Sequence, residues 1–185
     1  MIDKDKIQEL TYQFLLAIGE DPKREGLLDT PKRVANMCSE LLEPERAMAK
    51  NTVFEANNYD GVVMIRDIQF SSICEHHLLP FIGCVHIAYI PDQKVIGISK
   101  LARMVDKHAK KLQIQERLAS EIANDLSCAV KAKGVAVYIE AKHICMNIRG
   151  VLRRDASTVT TVFLGEFKEF KMQEMFMDLV SRSNR

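Results

Sequence analysis

Apolar residues return at helical spacing near both ends of the chain and in its middle, and they alternate or run together in between. Ile7, Leu10, Phe14, Ala17 and Ile18 form one stripe, and Gly19 and Pro22 end the helix it predicts. Thr30 as N-cap and Pro31 at the first helical position start a second helix, which is expected to bury Val34, Met37, Cys38 and Leu41, with Pro44 near its end. Asn57 to Gly61 is a turn, after which Val62, Met64, Ile68 and Phe70 alternate with mostly polar residues as in a half-buried strand. Phe81 to Ile90 predicts a second strand closed by Pro91-Asp92, and Val95-Ile96 a short third one ending at Gly97.

Two amphipathic helices follow. Ile98, Leu101, Ala102, Val105 and Ala109 make one stripe; Ile114, Leu118, Ile122, Leu126 and Val130 make the other at strict four-residue spacing. Val135 to Ala141 and Ser157 to Leu164 predict further strands, and Met172 to Val180 a final helix. Strands precede and follow the helix pair rather than alternating with single helices. The pattern predicts an α+β fold with a largely antiparallel sheet backed by two antiparallel helices. No Gly-rich loop follows a strand, which argues against Rossmann and P-loop nucleotide sites.

Composition narrows the reading. A chain of 185 residues with net charge +1 has no global attraction for nucleic acid or anionic membranes, so any anion site must be local. The N-terminus has no apolar segment of a secretory signal, and no apolar run reaches membrane-spanning length. Five cysteines without a pairing framework predict a reducing, cytoplasmic setting.

The stretch Cys74-Glu75-His76-His77 concentrates a thiol, a carboxylate and two imidazoles. Cys74 and His77 have a common zinc-ligand spacing, and His143 and Cys145 lie at the end of a predicted strand. Cys74, His77 and Cys145 would make three protein ligands, the number that leaves a catalytic metal an open position. His76 and His143 are the candidates for a fourth ligand, but neighbours in extended chain point in opposite directions, which argues against His76 sharing a metal with His77 and leaves His143 open. Cys38, Cys84 and Cys128 read as small buried hydrophobes, and His86 and His108 lack ligand-like neighbours apart from a Cys84–His86 pair.

Cations mark two helix starts, where the dipole favours anions: Lys32 and Arg33 on one, Lys100 and Arg103 beside a capping Ser99 on the other. A phosphate would satisfy both charges and backbone donors, and Arg149 is placed to join it. Glu116, beside Gln115, is either an exposed helix start or a carboxylate able to take two parallel hydrogen bonds from a guanine edge.

These blocks together resemble the GTP cyclohydrolase I family. The resemblance runs from about Leu27 to Phe167 and rests on Asp29-Thr30-Pro31-Lys32-Arg33, Cys74-Glu75-His76-His77, Tyr89-Ile90-Pro91, Val95 to Lys100, Gln113 to Leu118, and His143 to Met146 with Arg149-Gly150. It implies a tunnelling fold: a helical region over residues 1–56, a catalytic domain over 57–185, and a toroidal homodecamer with active sites between subunits. It further implies Zn2+ on Cys74, His77 and Cys145, and catalytic roles for His76, His143 and Ser99. Glu116 and Gln115 would bind guanine; Lys100, Arg103, Arg149 and a neighbouring subunit's Arg33 would bind the triphosphate. Asn36 departs from the resemblance, standing where members often carry a further basic residue. The implied reaction opens GTP at C8, releases formate and closes 7,8-dihydroneopterin triphosphate. The alternative is a non-enzymatic nucleotide- or pterin-binding protein with a structural zinc site.

Overall fold

The computed structural model describes residues 2–43 and 52–182, so the expectation for Pro44 lies outside the described residues. The chain divides into two compact units, Met1–Glu43 and Pro44–Arg185.

The first unit is a helix pair, α1 (Lys4–Ala17) and α2 (Thr30–Leu42), joined through a 3-10 turn at Glu25–Leu27. Asp3 caps α1 by accepting from the Lys6 N–H at 2.9 Å. The buried line on α1 differs from the expected stripe. Leu15 is its one buried residue, whereas Leu10, Phe14 and Ile18 are exposed. On α2 the buried residues are Ala35 and Ser39, and Met37 is exposed. The physical reason is that spacing identifies an apolar face but not what covers it, and within this unit each helix packs mainly on the other. Asp29, not Thr30, holds the N-cap position of α2, with Pro31 inside its first turn.

The second unit carries a five-stranded sheet in the order β5-β2-β3-β6-β7. Its strands are β2 (Val63–Cys74), β3 (Pro80–Ile90), β5 (Leu112–Gln113), β6 (Gly134–His143) and β7 (Thr158–Gly165). All neighbours are antiparallel except the two-residue β5, which pairs with the end of β2 in parallel, Ile73 opposite Leu112 and Cys74 opposite Gln113. A separate two-stranded ribbon joins β1 (Val53–Glu55) to β4 (Lys94–Ile96). The strand β1, the parallel β5 and the turn α5 (Ile144–Asn147) were not visible in the pattern. Each is too short to show a period.

The helices α3 (Ile98–Ala109) and α4 (Gln115–Val130) cover one sheet face. Leu101, Met104, Val105, Leu118, Ile122 and Leu126 pack there against Phe70, Phe81, Val85, Ile87, Tyr89, Val137 and Ile139. Burying a side chain of this class stabilises by about 1.5–3 kcal/mol, so this layer is the main source of fold stability. The helix α6 (Phe170–Ser181) brings Phe176 and Val180 onto part of the opposite face, against Ala88, Ile90 and Ala136. Ile98, expected in the α3 stripe, is exposed.

One irregularity sets the geometry of everything beyond it. The β2–β3 register shifts between Ile65 and Ile68, so two residues of β2, Arg66 and Asp67, stand opposite one of β3. Before this bulge the odd positions Val63 and Ile65 face the helices; after it the even positions Ile68, Phe70 and Cys74 do. The bulge therefore turns Cys74 onto the helix-covered face. Among the described residues no helix is long and apolar enough to cross a membrane.

Candidate active site

Cys74 ends β2, and the chain turns back at once into β3. Leu78 N–H donates to Cys74 C=O and Cys74 N–H to Leu79 C=O, both at 2.9 Å, with Leu78 at φ +53°. This turn lifts His77 over the Cys74 thiol, with Sγ and Nδ1 3.9 Å apart. Cys145 completes the cluster: ligand atoms of Cys74, His77 and Cys145 all lie within 4.8 Å of one another. Cys145 does not sit on extended chain as expected, because β6 stops at His143 and Cys145 lies on the helical turn α5. The helical turn lets His143 and Cys145 address the same pocket from different levels. Burial raises the Cys145 thiol pKa and the adjacent Cys74 thiol raises it further, a pairing that a divalent cation relieves.

The pocket above this cluster has a volume of about 240 Å³ and is lined by His76, Gln115, Glu116, His143 and Thr158 besides the ligand set. His143 is held on two sides. Its ring stacks on Phe81 at 4.7 Å with planes 3° apart, and its Nε2 lies 2.8 Å from Gln115 Oε1. The amide's orientation follows from its other end, where Nε2 donates to the carbonyls of Ile139 (3.2 Å) and Thr158 (2.9 Å). Gln115 Oε1 is thus an acceptor, the His143 proton resides on Nε2, and Nδ1 is left to exchange protons. Burial lowers the His143 pKa and the Glu116 charge opposes that shift, so the resting ring is neutral at pH 7.

Gln115 is 1% exposed. Its amide is committed to the protein interior, so it orients His143, while Glu116 on the first turn of α4 is exposed to the pocket. His76 is open to solvent, with Nε2 3.9 Å from Glu75 Oε1. Glu75 also pairs with Arg117, and Arg117 Nε donates to Gln113 Oε1 at 2.6 Å. Gln113 in turn receives the Glu75 N–H at its carbonyl, 3.1 Å. The sequence reading missed this clamp on the ligand loop and the Phe81 stack. The alternation of Phe81 with the sheet core was the available signal for the second.

The phosphate candidates fall elsewhere. Ser99, Lys100 and Arg103 occupy the first turns of α3, whose N-cap is Gly97 with no side-chain cap, so Ser99 is inside the helix and does not cap it. The opposite end of α3 adjoins the pocket, because Ala109 C=O accepts from Ser72 Oγ at 2.6 Å and β5 pairs beside Cys74. Ten residues of helix separate Ser99 from Ala109, about 15 Å at 1.5 Å per residue. None of these three side chains lines the pocket. Arg149 is exposed just beyond α5 and close enough for its charge to act on Cys145. Arg33, in the first unit, is exposed and pairs at 3.5 Å with Asp29. Cys128 is exposed and Cys38 and Cys84 are half-buried, not the buried hydrophobes expected. Cys128 lies on the open side of α4 and Cys84 on the sheet face away from α3 and α4, while Cys38 lies on α2 of the first unit. His108 joins an ion-pair network with Glu121 and Asp125.

Comparison with known proteins agrees with this geometry. The family model described as GTP cyclohydrolase I matches residues 7–181. GTP cyclohydrolase 1 of Sulfurihydrogenibium sp. (strain YO3AOP1) is 51% identical over 98% of this chain and 97% of its own. GTP cyclohydrolase 1 of Aquifex aeolicus (strain VF5) is 50% identical over 97% of each chain. Among solved structures, an apo archaeosine synthase QueF-Like superposes with a TM-score of 0.50 at 19% identity, over 58% of this chain and 97% of that one. That likeness concerns the fold alone and places the sheet and its two helices in the tunnelling fold. With the match extending over both units and through every residue of the pocket, the chain belongs to the GTP cyclohydrolase I family.

Proposed function

We propose that this chain hydrolyses GTP at C8, releases that carbon as formate, and converts the opened nucleotide to 7,8-dihydroneopterin triphosphate, the first step of pterin and folate biosynthesis. The observation that carries the proposal is one cavity in which a three-residue ligand cluster, an oriented neutral imidazole and an exposed carboxylate converge. Two thiolates and one imidazole fit Zn2+, and three ligands leave one position open. When bound, zinc supplies water activated at neutral pH, its pKa lowered to about 7.

The chain's own residues do the rest. Glu116 takes the two parallel donors of the guanine edge and sets the purine above the ligand cluster. Nδ1 of His143, bare in the resting ring, takes a proton from solvent and passes it to purine N7, with Nε2–H anchored on Gln115 throughout. His76, exposed at the pocket rim, serves the later proton transfers of ring opening and formamide hydrolysis. Ser99 assists rearrangement of the ribose, and Lys100, Arg103, Arg149 and Arg33 bind the triphosphate.

Of these, Ser99, Lys100 and Arg103 call for a second copy, whereas Arg149 lies beside the pocket of its own chain. A helix length separates Ser99, Lys100 and Arg103 from the pocket of their own chain, so a site with both halves forms where subunits meet. The exposed Leu10, Phe14 and Ile18 of α1 offer apolar surface for such assembly. A homodecamer in the cytoplasm is the assembly we assign. Incubating purified protein with GTP while following formate and pterin fluorescence tests the proposal. Both signals should rise together and vanish on chelation of the metal; GTP binding without formate would overturn it.

A further inference from the structure

A second group of ligand-type side chains lies on the sheet face away from α3 and α4. Cys84 and His86 alternate onto that face of β3, and the β2 bulge brings Asp67 to the same side. Ligand atoms of Asp67, Cys84 and His86 all lie within 4.8 Å of one another. The backbone is bent to achieve this. Asp67 has φ +59°, the left-handed region that costs a residue with a Cβ, in the one place where two residues of β2 oppose one of β3. Bulges re-aim side chains, and this one aims a carboxylate at a thiol and an imidazole.

From this arrangement we infer that Asp67, Cys84 and His86 form a second divalent-cation site, distinct from the pocket cluster. One sulfur, one nitrogen and one oxygen donor suit a borderline cation of the zinc type better than calcium or magnesium, which prefer all-oxygen sets. His86 is 4% exposed and its ring is fixed edge-on against Tyr138 at 5.5 Å, so one ligand is preorganised. Its Nε2 already faces Cys84 Sγ at 3.6 Å, while the Asp67 N–H makes a long 3.4 Å contact to Nδ1. Coordination through Nε2 moves the ring proton to Nδ1, gives up that long contact, and releases the Cys84 thiol proton to solvent.

The local field favours a cation. Burial raises the Cys84 thiol pKa, and Asp67 and Glu140 both add to it through their negative charge. Arg66 and Lys142 are opposing charges; the Arg66 guanidinium is turned to the Leu179 carbonyl at 3.0 Å, and Lys142 lines the cavity beside Cys84. Beside Cys84 a cavity of about 350 Å³, lined by Gln69, Glu140 and Ser157 among others, gives the fourth coordination position access to water. The Glu140 carboxylate at its edge is steadied by Ser157 Oγ at 2.8 Å.

The test counts metal in the full chain. Wild-type protein equilibrated with Zn2+ and freed of loose metal should hold two equivalents per chain. Cys84→Ser should hold one and keep formate release, and Cys145→Ser should also lose one, with formate release gone. With Co2+ as probe, the thiolate-to-cobalt absorption band should survive in Cys74→Ser/Cys145→Ser and disappear when Cys84→Ser is added. Melting curves of each variant confirm folding, and Asp67→Asn provides a second variant that keeps the backbone donor. Saturation of folded wild type at one equivalent, or unchanged stoichiometry in both folded Cys84→Ser and Asp67→Asn, overturns the site.

Discussion

The two ends of α3 are built in opposite ways. At the C-terminal end, Ala109 is tied to Ser72, Gln113 is wholly buried, and Arg117 locks the ligand loop through Glu75. At the N-terminal end Ser99 and Arg103 are exposed, Ile98 is open to solvent, and no side chain caps the helix. A pocket that must hold ligands at fixed separation needs the first kind of construction. A surface that a second copy will complete can be the second kind, since its free helix N–H groups and cations gain their partners on assembly and substrate binding. Under the proposed function, the contrast fits metal and base chemistry on one chain and triphosphate binding on its neighbour.

The most severe way to break the pocket end is Cys145→Ser. Removing one of two thiolates should strip the metal from this cluster and reduce formate release to background, with the oligomer unchanged by light scattering. Normal turnover in metal-free protein would rule out the chemistry described above.

Breaking the other end should leave the metal in place. Lys100→Ala and Arg103→Ala each remove a charged phosphate contact, about 1.5–3 kcal/mol, or roughly 10–100-fold in KM for GTP. The sharper experiment mixes two inactive parents, Cys145→Ser and Lys100→Ala/Arg103→Ala, under conditions that let subunits exchange. If the two ends of α3 serve different sites, random assembly should restore roughly a quarter of wild-type activity, because each site draws one intact half from each of two subunits. No recovery despite demonstrated exchange would place both halves in one chain.

How much of this contrast could be read from the chain alone depends on the range of the interaction. The pairing of Cys74 with His77 was legible, since they are three residues apart and lie in one turn. The cations of α3 were equally legible, because a helix start is a local feature. The clamp on Glu75 was not. It runs through Gln113 and Arg117, some 40 residues on, and depends on a two-residue parallel strand with no period to detect. Burial of Gln115 was not legible for a related reason: nothing near it in sequence shows that three main-chain and side-chain acceptors from β6 and β7 wait for its amide. The bulge at Asp67 left no trace either, since glycine would have announced a left-handed residue and aspartate does not.

Arg117→Met probes that clamp with a smaller effect. The ligand residues remain, but Glu75 loses the partner that fixes the loop between Cys74 and His77. Loss of an outer support of this kind weakens metal affinity by about 10–100-fold. Activity should fall at limiting Zn2+ and recover largely at excess Zn2+, a rescue that Cys145→Ser would not share. Equal loss at both concentrations would mean Arg117 acts on substrate instead.

The mildest prediction concerns the ion pairs that join α3 to α4 behind the pocket. Burial raises the Asp125 pKa, but the hydrogen bonds from Lys107 (2.7 Å) and His108 (2.8 Å) outweigh it and leave the carboxyl below its usual value; Glu121 is lowered likewise against its own burial, through Lys111 and Gln113. A carboxyl whose folded pKa is depressed binds protons more readily when unfolded, so its stabilisation is present above the ordinary carboxylate value of about 4 and is lost as pH falls through the folded value. Lys107→Met should therefore lower the melting temperature at pH 7 only slightly, by the equivalent of about 1 kcal/mol or less for so exposed a pair. The gap from wild type should close as pH drops below about 4 and the carboxylates are protonated in both states. Because the network sits near the C-terminal half of α3, Lys100→Ala at the other end should show no such pH-dependent gap. A gap that persists into acid would mean Lys107 stabilises through its packed methylenes rather than its charge.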